Sequence, residues 1–485
     1  MIGLDFGTTT TLLAKDGDVV PLGSLTEWMP SLAAFDDGGQ VIVGEAAESG
    51  MPGQTIRSIK QAITRRRAAI RVHAPGGIRD VAADEFIVAV LRSVGRRAEA
   101  TGLDLSEGGA MRVGCPAAWD GAQRQRFLGL LHQAGLAASP FDLVDEPVAA
   151  GIAWLAGQER VDAPMRLLVF DMGGGTLDIA VIDVHGSVDR DVQLLAAVGQ
   201  TRAGDALDEA IADDLARDLR VEPDLSEQQR ELLVDAARRL KVRLSTEEED
   251  VVVLRRDLFP RQHEAWYSRS RLEAAFSPQL DEAAEGILVA LRAAHLTAGG
   301  TRDDWPSPRR LLAGVDTVLL SGGMSRVPSV TLYLRTLFPA TTRIEVAAQP
   351  PEKAVALGLT RAARYQRNTR YALPYDIRLE WDEGREWRLI YNAFMPILEQ
   401  WWIERGWPGE LRFRTVGRGL ALPGEGQAVL RLVAAADHVS AILNGVSLDG
   451  YPVALNGEQF SFSIDPGGRL EMIDAQGTHV GHAYL

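Results

Sequence analysis

Residues Leu167 to Gly186, LLVFDMGGGTLDIAVIDVHG, constrain this chain more than any other stretch. An apolar run stops at Asp171. Three glycines and Thr176 follow, and Leu177 to Val184 carries a second β-rich run into a His185-Gly186 turn. The pattern reads as strand, tight glycine turn, strand. Glycines at such a turn let backbone N–H groups approach a ligand closely, and a nest of these amides suits phosphate. Asp171 and Asp178 bracket the loop. Two carboxylates beside a phosphate nest ask for a cation between them, and Mg²⁺ is the hard cation that bridges carboxylates and phosphates. The opening MIGLDFGTTTTLLAKDGDVV carries the same D-x-G-(T/G)-(T/G)-T pattern about 166 residues earlier. A repeat at that distance points to two related α/β lobes and not to a solenoid, whose units are far shorter. Each lobe would present one hairpin to a shared cleft. Neither hairpin is a Walker A loop, since no Gly-Lys-Ser or Gly-Lys-Thr follows the glycines.

At 485 residues the chain is too long for one core. A formal charge of −15 argues against a nucleic-acid or anionic-membrane surface. The single cysteine, Cys115, excludes a disulfide, a thiolate zinc cage and a CxxC redox pair, and is expected as a buried thiol at a strand end. Asp5 interrupts the N-terminal apolar run and no basic segment precedes it, so no signal peptide is expected. No run is long enough to span a bilayer. The expected setting is cytoplasmic, with neither nucleic acid nor membrane as partner.

Between the two hairpins, QTIRSIKQAITRRRAAIRV places Lys60 among apolar neighbours, and Arg65 to Arg67 fit a solvated face. Asp84 to Thr101 has helical periodicity, Met111 to Cys115 reads as a strand stopped by Pro116, and a second amphipathic helix closes at Gly135. In FDLVDEPVAAGIAWLAG a short strand ends at Asp145-Glu146-Pro147 and a small-residue helix begins. Glu146 therefore sits at a strand-to-helix junction, where α/β sheets place ligands. Further on, Leu194 to Arg202 reads as a strand, a helix follows Gly204, and Gln228 to Ser245 is helical with Lys241 and Ser245 on one face. Residues 271–296 read as helix and 297–314 as loop. VDTVLLSGGMSRVPSV gives strand, Gly322-Gly323, helix, with Arg326 one turn on and able to stack on a base. A Pro-started helix is expected over 351–366.

DFGTTTT, the Lys60 segment, LVDEPVAAG, DMGGGTLD, AGDALD, RLKVRLS, SGGMSRVP and PEKAVALG occur here in one order. That order resembles the seventy-kilodalton heat-shock chaperones, within the wider superfamily of actin, sugar kinases and heat-shock ATPases. The resemblance covers residues 1–364. It implies a two-lobed actin-like (ribonuclease H-like) α/β ATPase domain that binds ATP/ADP with Mg²⁺ and hydrolyses ATP slowly. It implies that Asp5 and Asp171 hold the metal, largely through water. It assigns the phosphates to Gly7, Thr8, Thr9 and Gly173, Gly174, Gly175, Thr176. Lys60 would meet the γ-phosphate and attacking water, while Glu146, Asp171, Thr176 and Asp178 complete the catalytic set. Gly204, Lys241, Ser245, Gly322, Gly323, Arg326 and Glu352 would form the adenosine pocket. Pro116 and Arg124 match positions that couple the ATPase to a partner domain. Four positions depart from the family: Arg238 replaces an acidic residue, Val242 an arginine, Met324 a serine, and Glu352 an aspartate. The phosphate half is intact and the base half altered.

From Pro374 the composition changes to short alternating runs split by Gly, Pro, Asn and Asp. These predict a small all-β unit over 376–485 after a linker at 365–375. Its turn order resembles the family's β-sandwich substrate-binding domain, with no helical lid and no acidic-flanked leucine run in the linker. Trp387, Trp401, Trp402 and Trp407 are expected to pack in core and loops. The reading is an ATP-dependent chaperone-like protein that binds extended polypeptide weakly. Unfolded clients are its implied partners, along with a J-domain co-chaperone and a nucleotide-exchange factor. The alternative is an actin-like nucleotide-dependent scaffold or regulator. A sugar kinase is the weakest alternative, because no substrate motif accompanies it.

Overall fold

The computed structural model describes residues 1–48, 55–107, 111–119, 121–138, 142–162, 164–186, 191–221, 225–298, 306–348, 350–362, 366–369, 375–391, 425–434, 449–455, 461–464, 469–473 and 479–484. The two hairpins lie at the centres of two six-stranded sheets. In the first, the path runs Leu143–Asp145, Met111–Cys115, Ile2–Phe6, Thr10–Lys15, Asp18–Val20, with Met29–Pro30 added beside Thr10–Lys15. In the second it runs Arg343–Val346, Thr317–Ser321, Met165–Met172, Leu177–His185, Asp191–Gln200, Gln366–Thr369. The first five strands of the two paths correspond one to one, with the hairpin antiparallel and the outer crossovers parallel. Register repeats as well: Asp5 faces Leu12 across the first hairpin and Asp171 faces Asp178 across the second. Thus the sequence repeat is a structural repeat.

The hairpin strands are covered on both faces, which is why Ile2–Phe6 and Met165–Met172 read as nearly continuous apolar runs. Each lobe has its own core. One gathers Phe6, Phe86, Trp119 and Phe127, and the other Phe170, Phe259, Tyr267 and Phe276. A third cluster sits where helix Glu146–Ala156 meets helix Ala354–Leu359. Small residues make that crossing close: a Cβ on Gly358 would lie 1.7 Å from Ala149 O.

Several elements differ from the sequence reading. Pro308–Ala313 is helical within the stretch expected as loop, with Ser307 accepting from Arg310 N at its N-cap. The helix expected over 351–366 is a 3-10 turn, Pro351–Lys353, followed by a helix that ends at Leu359. Gln366–Thr369, placed in the linker by sequence, runs as a strand parallel to Asp191–Leu194. Hairpins Ala69–Ala74/Gly77–Ala82 and Glu249–Val253/Glu264–Ser268 had no sequence assignment. Beyond residue 374 the described residues form β-strands and one 3-10 turn, Asp382–Gly384. Tyr375–Trp381, Glu386–Tyr391, Gly426–Ala434 and Tyr451–Leu455 make one sheet, and Ser461–Ile464, Arg469–Ile473 and His479–Tyr484 make another. Trp387 is exposed, contrary to the packing expected of it, and lies under the Arg378 guanidinium. Trp401, Trp402 and Trp407 lie outside the described residues.

Candidate functional site

Both hairpins point their turns into one cavity of about 850 Å³. The turns share a bond: Gly7 N donates to Thr10 O and Gly173 N to Thr176 O, each at 3.0 Å. The glycines between them are required by space. A Cβ on Gly174 would lie 2.6 Å from Thr9 Oγ1, and one on Gly175 would lie 2.3 Å from Gln61 Nε2 and 2.7 Å from Thr8 Oγ1. The two turns therefore nearly touch, and Gly7, Thr8, Thr9, Gly173, Gly174 and Thr176 line the cavity there.

Asp5, Lys60, Glu146, Asp171, Thr176 and Asp178 line the cavity and are all buried. Asp5 comes from the first strand, and Asp171 and Asp178 from directly opposed positions of the second hairpin. Glu146 is the first residue of its helix, where the dipole favours a carboxylate. Lys60 forms an ion pair with Glu146 and lies 5.4 Å from the Trp119 ring centroid. Four carboxylates thus share one ammonium in a buried space. Burial, then the charge of Glu146, pushes Asp5 up to about 7, and the same pair of causes does so for Asp178. On Asp178 the Thr176 hydroxyl, Ala118 N–H and Lys60 pull the other way. Burial, with Glu146, Asp178 and Asp5, also raises Asp171 well above the usual carboxylate range. Burial works against the Lys60 ammonium, but Glu146 and Asp5 hold its pKa above the ordinary value.

This charge excess fits a cation. Among the described residues no three His, Cys, Asp or Glu side chains converge tightly enough to chelate a metal by themselves. A Mg²⁺ ion held by one or two carboxylates, waters and ligand phosphates needs no such cage. Asp5 and Asp171 would hold it.

The cavity is also lined by Lys241, Ser245, Gly322, Gly323, Met324, Arg326 and Glu352, and by the exposed Val242. Gly322 adopts φ +77°, and a Cβ there would lie 2.4 Å from Met172 O and 2.6 Å from Asp171 Oδ1. The Arg326 guanidinium is held at 2.7 and 2.8 Å by both Glu352 oxygens, which fixes its plane. Lys241 Nζ lies 2.7 Å from Asp208 Oδ1 and donates to Gly204 O at 3.0 Å. Arg238 Nε sits 3.4 Å from the other oxygen of Asp208, a buried carboxylate.

Of the residues expected from sequence, Gly175 and Gly204 do not line the cavity. They stand behind its wall. Gly175 O accepts from Gln61 Nε2 at 2.8 Å, and Gly204 N donates to Gly173 O at 3.1 Å. Sequence reasoning missed Gln61, Asp205, Asp208 and Ser321. Asp205 and Asp208 lay inside the quoted AGDALD motif, and Gln61 followed Lys60. Arg124 is buried and donates to Asp145, next to Glu146, and to Trp119 O. Pro116 is also buried. Cys115 is buried, and burial pushes its thiol up to about 12. No described helix is long and apolar enough to cross a membrane.

A sequence model of the family described as Hsp70 protein matches residues 1–366. The chain is 29% identical over 402 residues to a chaperone protein DnaK of Thermotoga neapolitana, covering 78% of this chain and 61% of that one. It is 28% identical over 381 residues to the chaperone protein DnaK of Methanothermobacter thermautotrophicus, covering 74% and 58%. It is 29% identical over 387 residues to a chaperone protein HscA homolog of Mannheimia succiniciproducens, covering 74% and 56%. The chain therefore spans about three fifths of the length of these curated relatives.

Proposed function

The chain belongs to the Hsp70 protein family, and from that premise we propose that it is a Mg²⁺-dependent ATPase that uses ATP to bind and release extended polypeptide. The observation that carries the reading is the pair of matching hairpins, which bring Asp5, Asp171 and Asp178 to one cavity beside the Lys60–Glu146 pair. Phosphoryl transfer needs positioning and charge neutralisation more than covalent help.

The two glycine turns would bind the β- and γ-phosphates through main-chain amides, with Thr8 and Thr9 closing over them. When bound, Mg²⁺ supplies Lewis-acid neutralisation of the phosphate charge. Asp5 and Asp171 would orient it. Lys60, kept cationic by Glu146 and Asp5, would hold a γ-phosphate oxygen and the attacking water. Asp178 would take the water's proton, with Thr176 fixing the carboxylate. Lys241, Ser245, Gly322, Gly323 and Arg326 would hold the nucleoside, with Glu352 locking Arg326.

The β unit from residue 376 would bind client segments weakly by strand addition and shallow side-chain pockets. A J-domain co-chaperone and a nucleotide-exchange factor are the partners this reading implies. ATP turnover with and without an unfolded peptide tests it. Mg²⁺-dependent turnover accelerated by peptide supports the chaperone reading. Mg²⁺-dependent turnover indifferent to every peptide would replace it with a nucleotide-dependent scaffold. No nucleotide binding at all would overturn both.

A further inference from the structure

Ser321 ends strand Thr317–Ser321 and lines the cavity. It is fully buried, yet its hydroxyl has no hydrogen-bond partner. A buried hydroxyl is normally paired, and an orphan asks for an unseen partner. The strand reads TVLLS, with Val318, Leu319 and Leu320 between two buried hydroxyl residues, of which only Ser321 lines the cavity.

Its position points to that partner. Ser321 is in register with Asp171 on the neighbouring parallel strand. Register partners in a sheet project to the same face, so the hydroxyl and the carboxylate stand side by side at the phosphate end. Asp171 shares the cavity with Asp5, Glu146 and Asp178. Immediately after Ser321 the chain turns tightly past Asp171 Oδ1 at Gly322. A small hydroxyl is thus fixed beside the group assigned to hold the cation.

We propose that Ser321 is a positioning residue for the cation: its hydroxyl holds a water of the metal's shell next to Asp171. This rests on the reading of the cavity as a Mg²⁺-nucleotide site. Groups that orient a metal's ligands from outside the coordination sphere typically change metal affinity about 10–100-fold when removed.

The test measures affinity for fluorescent ADP against free Mg²⁺ in the full chain. Ser321→Ala is expected to raise the Mg²⁺ concentration for half-maximal tightening at least about tenfold. Affinity in excess EDTA should not change, and Ser321→Thr should restore the wild-type value. Thr317 supplies the control. It is also buried with an unpaired hydroxyl on the same strand, but it does not line the cavity. Thr317→Val should leave Mg²⁺ dependence unchanged. Equal Mg²⁺ dependence in Ser321→Ala and wild type would overturn the assignment, as would an equal loss with and without metal. A marked drop in the ligand-free melting temperature of Ser321→Ala would assign the residue to packing instead. If wild type itself binds nucleotide without regard to Mg²⁺, the underlying reading of the cavity fails first.

Discussion

Lys60 donates to Glu146 across 86 residues of sequence, and both side chains are buried in the cavity wall. Glu146 and Asp5 keep the Lys60 ammonium cationic against burial. Lys60→Ala is expected to lower single-turnover hydrolysis about 10²–10³-fold, the usual cost of losing one aligned charge stabiliser. Nucleotide affinity should change far less. The substitution also strands Glu146, and removing one partner of a buried pair costs about 3–5 kcal/mol. The ligand-free variant should therefore unfold at lower urea concentration. Equal single-turnover rates in variant and wild type would remove Lys60 from the chemistry.

The acid cluster predicts a pH dependence of stability. Asp5 and Asp178 are pushed up to about 7, first by burial and then by Glu146. A carboxyl with a raised folded pKa holds its proton more tightly folded than unfolded. Its contribution is full below the unfolded value near 4 and is lost as pH rises through about 7. Without ligand, stability from this cluster should fall from about pH 4 to above 7, and Mg²⁺ with nucleotide should cancel the loss. Urea midpoints of wild type and Asp178→Asn across that range isolate the effect. Wild type should lose ground against the variant as pH rises. A constant difference would mean the carboxyl titrates normally.

The base end of the cavity should discriminate poorly. Val242 is exposed at the cavity that Arg326 also lines, Met324 is buried, and Arg238 is committed to Asp208. In the proposed nucleoside pocket, Val242 would offer the base an aliphatic surface where the resemblance leads one to expect an arginine. A missing stacking partner is worth about 1–3 kcal/mol. Calorimetry should find ATP and GTP within about tenfold of each other, and Val242→Arg should widen the gap in favour of ATP. A large preference for ATP in wild type would show that other groups read the base.

What was legible in the sequence follows from range. Both hairpins were readable because an apolar run, an aspartate and a glycine turn are local signals. The helix at Glu146 was readable from Pro147. The helix Pro308–Ala313 carried a start signal in Ser307-Pro308, but six residues are too few for periodicity. Gly77–Ala82 is exposed along most of its length, so no alternation marks it as a strand. The partner of Lys60 and the orphan hydroxyl of Ser321 depend on how distant segments meet. Neighbouring residues carry no trace of either. The family's residue order supplied the role proposed for Lys60, while Ser321 stood out only once burial and partners were known.

The contact between the lobes predicts a sharp contrast between two glycines. Helix Ala354–Leu359 is wedged between helix Glu146–Ala156 and strand Ile2–Phe6. A Cβ on Gly358 would lie 1.7 Å from Ala149 O, and one on Gly3 would lie 2.4 Å from Ala356 O. The helix cannot back away from Ala149 without pressing on the strand that carries Asp5. Overpacking a tight interior costs about 1–3 kcal/mol and sometimes more. Here the obstacle is backbone on both sides, so Gly358→Ala should cost at least the upper figure. Glu146 begins the displaced helix and Glu352 precedes the wedged one, so nucleotide affinity should fall as well. Gly129 offers the opposite case: it is exposed within helix Gly121–Gln133, and nothing lies within 4 Å of a Cβ there. Gly129→Ala should stabilise by about 0.5–1 kcal/mol through helix propensity alone. Urea unfolding of both variants checks the pair. Gly358→Ala with wild-type stability and nucleotide affinity would mean that the two helices do not pack at this distance.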